Sequence, residues 1–259
     1  MYYNLHTHTY RCHHAKGTDR EYVEAAIQGG FKLLGFSDHC PQFFSLPGYY
    51  SNFRMTPQET EDYVKSVRSL QKEYASDIKI LLGFEAEYYP ESFDKLRKLA
   101  QSYDFDYLIM GQHFVGNEYD ENDYKEHGVY GKRYLVQYVD QVIEGLQTNA
   151  FTYVAHPDIA YFGGDKAFYT EQMSRLCAYA KERGIPLEFN MLGYENKRDY
   201  PNPAFWEIAA KTGNRVVLGF DAHQPEKLQT HVLYEDCVAK LNAMGISLTP
   251  FENIKIVKP

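Results

Sequence analysis

Seven of the chain's ten histidines fall at or just past the ends of short apolar runs. His6, His8 and His14 surround the first run, and His39 follows the second. His113 follows the fourth, His156 the fifth and His223 the seventh. Glu85 closes the third run, and Asp221 stands two residues before His223. Neutral imidazole and ionised carboxylate are the donors that divalent transition metals take from proteins. Residues i and i+2 of a strand face one side, so His6 with His8, and Asp221 with His223, present pairs to one centre. Catalytic zinc takes about three protein ligands plus water, so this inventory exceeds one ion and fits two or three sharing bridging carboxylates or hydroxide. Each residue alone has an ordinary explanation, as a strand-end polar group, a core histidine donating to a carbonyl, or half of an ion pair. Their shared placement carries the metal reading, because burying so many imidazoles without a cation leaves ring nitrogens unsatisfied. Glu87 lies on the same strand face as Glu85 and reads as support for a ligand, while Cys12 reads as inert packing.

The elements that must position these groups alternate along the chain. Apolar runs at 2–8, 33–38, 78–84, 107–112, 152–156, 185–190 and 215–221 read as strands, six of them covered on both faces. Between them lie amphipathic stretches. Thr18 with Glu21, and Thr56-Pro57-Gln58-Glu59, are capping boxes that open helices. Further helices are expected at 92–103, 131–147, 171–183, 204–212 and 230–244. Asn202-Pro203 starts one of them, and Gly184, Gly213 and Gly245 close three. Strand then helix, repeated seven times, requires parallel strands with right-handed crossovers. Polar residues at nearly every strand end favour a closed barrel, whose strand ends all converge on one mouth, over an open sheet. Seven units where the regular barrel has eight predict a distorted (β/α)7 cylinder. The long loops at 40–55 and 114–130 are its expected walls or lids.

The chain has 259 residues, 44% of them hydrophobic, which suits one large domain spanning 1–259. Thirty-five acidic against 27 basic residues leave a net charge of −8, which disfavours nonspecific binding to nucleic acid. Aromatic content of 16% argues for a folded chain, and no run reaches the ~20 apolar residues that span a bilayer. The N-terminus lacks the pattern of a secretory signal. The four cysteines, at 12, 40, 177 and 237, form no close pair, so the cytoplasm without disulfides is the expected setting. The sequence leaves the oligomeric state open.

These motifs resemble the polymerase and histidinol phosphatase (PHP) superfamily, and within it the histidinol-phosphatase branch, over nearly the whole length. The opening HxHT is His6-Thr7-His8-Thr9, and His14 follows in HHAKGT. Asp38-His39 stands in FSDHCP, Glu85 in GFEAEYY, His113 in GQHF, His156 in AHPD, and Asp221 with His223 in GFDAH. The resemblance implies a TIM-barrel-like PHP fold with two or three zinc, iron or manganese ions. It groups the ligands as His6, His8, Glu85 and Asp221; then Glu85, His113 and His156; then His14, His39 and His223. It implies hydrolysis of a small phosphorylated metabolite, L-histidinol phosphate, in histidine biosynthesis, with Glu85, Asp221, His223 and Arg198 as catalytic residues. Arg198, in the branch-like stretch EFNMLGYENKRDYPNP, is the expected phosphate ligand, since a guanidinium makes two parallel hydrogen bonds to phosphoryl oxygens. His14 would share in phosphate binding. Phe43 and Tyr161, with Phe44 and Phe162, are the loop aromatics expected to face the organic moiety. The competing expectations are a PHP phosphodiesterase or exonuclease, and a metal- and ligand-binding module without chemistry.

Overall fold

The computed structural model describes residues 2–119 and 131–259. Most of the second long loop, at 114–130, therefore lies outside the described residues. Four parallel strands, β1 (Tyr2–Asn4), β2 (Phe31–His39), β3 (Lys79–Ala86) and β4 (Tyr107–Met110), form one sheet in chain order. β5 (Leu187–Asn190) and β6 (Val216–Gly219) form a second parallel pair. Single bridges join the two sheets into a ring. Val154 pairs with both Met110 and Leu187, and Thr7 pairs with Ala222.

The sheet is thus the expected distorted barrel of seven staves, but the fifth stave is bridge-only. Its ladder is carried by Met110 and Ala155 on one side and by Val154 with Pro186 and Glu188 on the other. Pro186 accepts but cannot donate, and Pro157 follows His156, whose φ is +27°, so the extended run stops there. β6 is also shorter than expected. It ends at Gly219, and Asp221 has a φ of +49°, so Asp221 and His223 meet across a turn rather than by strand alternation.

The helices pack outside the ring: α1 (Asp19–Gln28), α2 (Thr60–Glu73), α3 (Phe93–Ser102), α4 (Lys132–Gln147), α5 (Lys166–Arg183), α6 (Met191–Glu195), α7 (Pro203–Thr212) and α8 (His231–Ala243). Both capping boxes form. The box at Thr18 opens α1 directly, and the box at Thr56 opens a 3₁₀ turn that runs into α2. Gly184 and Gly213 adopt the left-handed caps that end α5 and α7. α5 starts five residues before the expected 171, because the Asp165 carboxylate accepts from the Ala167 amide as an N-cap. The short α6 was not anticipated from the sequence. It starts because Asn190, at the end of β5, accepts from the Gly193 amide.

One apolar core fills the space between staves and helices, and a smaller one fills the barrel. The inner core stacks Leu5, Leu33, Leu81, Ile109 and Val217 around Tyr107 and Tyr153, and Ile254 of the C-terminal segment seals it. Tyr107 donates to the Leu5 carbonyl at 2.8 Å across the barrel. Its ring lies so close to Gly83 that a Cβ there would sit 2.5 Å from it. Gly83→Ala should therefore destabilise the fold by about 1–3 kcal/mol through overpacking, read as a lower urea midpoint at unchanged slope. An unshifted midpoint would show that the barrel interior has slack.

Candidate active site

Glu85, on β3 at the barrel mouth, is the hub. Its Oε2 lies 3.0 Å from His39 Nδ1 and 3.5 Å from Nε2 of both His6 and His8. Its Oε1 lies 2.7 Å from His156 Nε2 and 3.4 Å from His113 Nε2. Asp221 Oδ1 stands 3.0 Å from His8 Nε2, 3.5 Å from His6 Nε2 and 3.3 Å from His223 Nδ1. His14 closes the group from the first loop, stacked on His223 with ring centres 4.7 Å apart. All nine expected donors therefore meet at one mouth. Seven of them fall in overlapping sets, with His6, His8 and Asp221 in one, His6, Glu85 and His156 in another, and His8, His39 and His223 in a third, while His14 groups with Cys12 and His223.

Neighbouring acceptors orient four of the imidazoles. His14 Nδ1 donates to the Cys12 carbonyl at 2.7 Å and His223 Nδ1 to the Asp221 carbonyl at 3.0 Å. A carbonyl oxygen only accepts, so the proton sits on Nδ1 in both rings and Nε2 is left as a lone-pair donor. His6 Nδ1 lies 2.8 Å from Glu188 Oε2, and His113 Nδ1 lies 2.9 Å from Glu87 Oε1. These are the carboxylate–histidine pairs that turn the opposite nitrogen towards a metal. Asn190 donates to both Glu188 and Asp221 and ties the two carboxylates together.

Burial lowers the pKa of His14, His39 and His223, so those rings are neutral. Burial also acts to lower His6 and His8. The carboxylates Glu188, Asp221 and Glu85 around His6 outweigh it, as Asp221 and Asp38 do around His8, and both rings end well above the usual range. Burial acts to raise Glu85 and Asp221, yet the surrounding imidazoles hold both well below the ordinary carboxylate range. Burial likewise opposes ionisation of Glu87, but Arg54 and His113 hold it at about 2.

A direct test of fit to a cation is what these atoms do in the fold. His6 Nε2, His8 Nε2, His39 Nδ1, Glu85 Oε2, Asp221 Oδ1 and His223 Nε2 are all buried without a hydrogen-bond partner. Buried polar atoms are otherwise almost always paired, and these six face one another at metal-ligand spacing. Imidazole-rich sets with carboxylates suit zinc, iron or manganese.

The cavity over the cluster measures about 250 Å³. Among the described residues, its lining outside the donor set is Phe53, Leu192 and Arg198. Arg198, the expected phosphate ligand, is on that wall, with Nη1 donating to the Tyr200 hydroxyl at 2.7 Å. Phe43 and Tyr161 do not line it. Phe43, with Phe44, lines two neighbouring cavities, because the loop turns away after Cys40 and returns at Phe53. Phe53 takes the expected aromatic position, its ring 5.2 Å from His14 and 4.1 Å from His39. Tyr161 is half-buried with its hydroxyl beside Gly163. Cys12 is fully buried with its thiol within reach of His14 and His223, and burial pushes its pKa up. Glu188 escaped the sequence reading, although a carboxylate inside the apolar run LEFN was a usable signal.

A parallel barrel that gathers imidazoles and carboxylates at the C-terminal mouth of its staves defines the class of barrel proteins that build metal centres there. Residues 4–191 match the PHP domain model, and the chain belongs to the PHP domain family. A "Probable histidinol-phosphatase" of Deinococcus radiodurans is 28% identical over 97% of this chain and 96% of its own length. The "Histidinol-phosphatase" of Bacillus subtilis is 26% identical, over 85% of this chain and 92% of its own. Among solved structures, the histidinol phosphate phosphatase of Lactococcus lactis, complexed with zinc, L-histidinol and phosphate, superposes with a TM-score of 0.74 at 19% identity. That match covers 99% of this chain and 98% of the other. No helix of the described residues is long and apolar enough to cross a membrane.

A cation that binds the folded cluster and not the unfolded chain stabilises by mass action, about 2.7 kcal/mol at a hundred times Kd. Adding Zn²⁺ to chelator-treated protein should raise Tm accordingly. A Tm that fails to move with zinc, manganese and iron alike would remove the metal reading.

Proposed function

We propose that the chain is a metal-dependent phosphomonoesterase that converts L-histidinol phosphate and water to L-histidinol and phosphate in histidine biosynthesis. The observation that carries this reading is one small cavity lined by unpartnered metal-donor atoms and a guanidinium. The relatives of nearly the same length that bear the phosphatase name support it. Four cysteines without a disulfide are in keeping with action in the cytoplasm.

In this reading His6, His8, Glu85 and Asp221 would hold one ion, Glu85, His113 and His156 a second, and His14, His39 and His223 a third. Bound divalent ions supply Lewis acidity and lower the pKa of water toward neutrality. The residues of the chain do the rest. Glu85 spans two ligand sets with its two oxygens, so its position sets their separation. Glu188 and Glu87 keep His6 and His113 turned inward. Arg198, on the far wall, pairs with nonbridging phosphoryl oxygens, and its fork favours the trigonal arrangement of the transferring group. Phe53 and Leu192 give the leaving alcohol an apolar wall. A phosphodiesterase would use the same donors, but a net charge of −8 works against a polyanion. A binding module without chemistry would release no phosphate from any ester.

The test is a metal-replete comparison of histidinol phosphate, 4-nitrophenyl phosphate and a bis-aryl phosphodiester. The expected result is a kcat/KM far higher for histidinol phosphate. Comparable small values would make the protein a generic phosphatase, and preference for the diester would install the nuclease reading.

Two substitutions separate metal holding from phosphate recognition. Glu85→Gln should lower bound metal and rate together, the rate by more than about 100-fold. Arg198→Ala should keep the metal and lose about 10- to 100-fold in kcat/KM, as expected for a charge-assisted pair, with Arg198→Lys between it and wild type. Unchanged kcat/KM and unchanged inhibition by inorganic phosphate in Arg198→Ala would take Arg198 out of the site.

A further inference from the structure

Arg54 belongs to the first long loop, has 1% of its surface exposed, and is no part of the donor set or the cavity lining. Its Nη1 and Nη2 each donate to a separate oxygen of Glu87, both at 2.7 Å. Nη1 also donates to the carbonyl of Cys40 at 3.1 Å, and Nε donates to Glu118 at 2.6 Å. The same Glu87 oxygen that takes Nη2 lies 2.9 Å from His113 Nδ1. One guanidinium therefore stands a single residue away from two expected ligands. It reaches His113 through the Glu87 carboxylate and His39 through the carbonyl of the next residue, Cys40. It is also the immediate neighbour of Phe53, whose ring packs on His14, His39 and His113.

We infer that Arg54 is a positioning residue of the metal centre, aligning His113 through Glu87 and His39 through the Cys40 carbonyl. This rests on the reading of the cluster as metal ligands. The chemistry favours a guanidinium there. Its planar fork fixes both the position and the rotation of a carboxylate, and the third edge remains for a carbonyl and a second carboxylate. An ammonium has the charge but cannot fix that rotation. The rival account is that Arg54 only staples the loop to residues 114–119. Glu118 accepts from both Arg54 and the Tyr49 hydroxyl, so such a staple is present. The two accounts differ in what Glu87 does. As a positioning relay, it passes the effect of Arg54 to His113; as a staple, the effect passes through Glu118 and leaves the imidazole alone.

The experiment measures Zn²⁺ affinity by competition with a chromogenic chelator, the Tm of the zinc-free protein, and kcat/KM on histidinol phosphate. It compares wild type with Arg54→Ala, Arg54→Lys, Glu87→Gln, Arg54→Ala/Glu87→Gln and Glu118→Gln. Arg54→Ala should weaken zinc binding at the sites of His113 and His39, and Glu87→Gln at that of His113, each by about 10- to 100-fold, the usual effect of removing a partner of a ligating imidazole. The double variant should lose little beyond Arg54→Ala, because the path through Glu87 is already cut in that variant. Glu118→Gln should lower Tm and leave zinc affinity within about twofold, as a staple outside that path. Arg54→Lys should fall between Arg54→Ala and wild type, and it decides the matter if the alanine variant does not fold. Wild-type zinc affinity in folded Arg54→Lys and Glu87→Gln overturns the inference, as do additive losses in the double variant or a loss in Glu118→Gln as large as in Arg54→Ala. A wild-type protein that binds no zinc takes down the metal reading itself, a result distinct from any of these.

Discussion

The structure is organised around a buried carboxylate that cannot be left alone. Glu85 is 1% exposed, and five imidazoles lie within 3.5 Å of its oxygens. An ionised carboxylate in a low-dielectric interior is costly unless cationic partners surround it. Around it stand Asp221, Glu188 and Asp38, all buried as well. Divalent cations would offset this negative charge, since the donors already converge without hydrogen-bond partners.

Much of the surrounding backbone is shaped to leave room for these groups. A Cβ at Gly111 would lie 1.9 Å from Glu85 Oε1, and one at Gly219 would lie 2.1 Å from the Glu188 carboxylate. Those glycines sit at stave ends because carboxylates occupy the space a side chain would need. His156 and Asp221 pay the opposite cost. Both adopt a left-handed backbone that a non-glycine residue avoids by about 1–2 kcal/mol, and both are aimed at the mouth by doing so. Two of the six non-glycine residues with a left-handed backbone among the described residues are thus expected ligands.

Much that depended on local pattern was legible in the sequence, although the caps at Asp165 and Asn190 that start α5 and α6 were not. Strand ends bearing histidine, capping boxes at Thr18 and Thr56, and glycine caps at 184 and 213 are each decided within a few residues. The nine donors could be collected because parallel topology sends every strand end to one mouth. What escaped depends on distant partners. Glu188 meets His6 across 182 residues of sequence, and Arg54 meets Glu87 across 33. Phe43 lies in the expected loop but lines neighbouring cavities, and Phe53 of the same loop faces the histidines instead. The fifth stave looked like its neighbours by composition. Proline at 157 and the missing N–H of Pro186 reduce it to a bridge.

These differences divide the site into two parts with different sources of order. His6, Glu85, His156 and Asp221 stand on or beside the staves, held by the barrel ladder and by buried acceptors. His14, Phe53 and Arg198 come from connections, and they form the open side of the cavity. Precise spacing between donors requires the rigid part, while connections tolerate variation in shape at less cost to the fold. Arg54 lies at the seam. Its guanidinium belongs to a loop but is as buried as any core residue, and it grips β3's extension at Glu87 and β2's extension at Cys40 together. In the proposed positioning role of Arg54, a shift of this loop wall would be passed to His113 and His39, and so would couple the shape of the cavity to the donor frame.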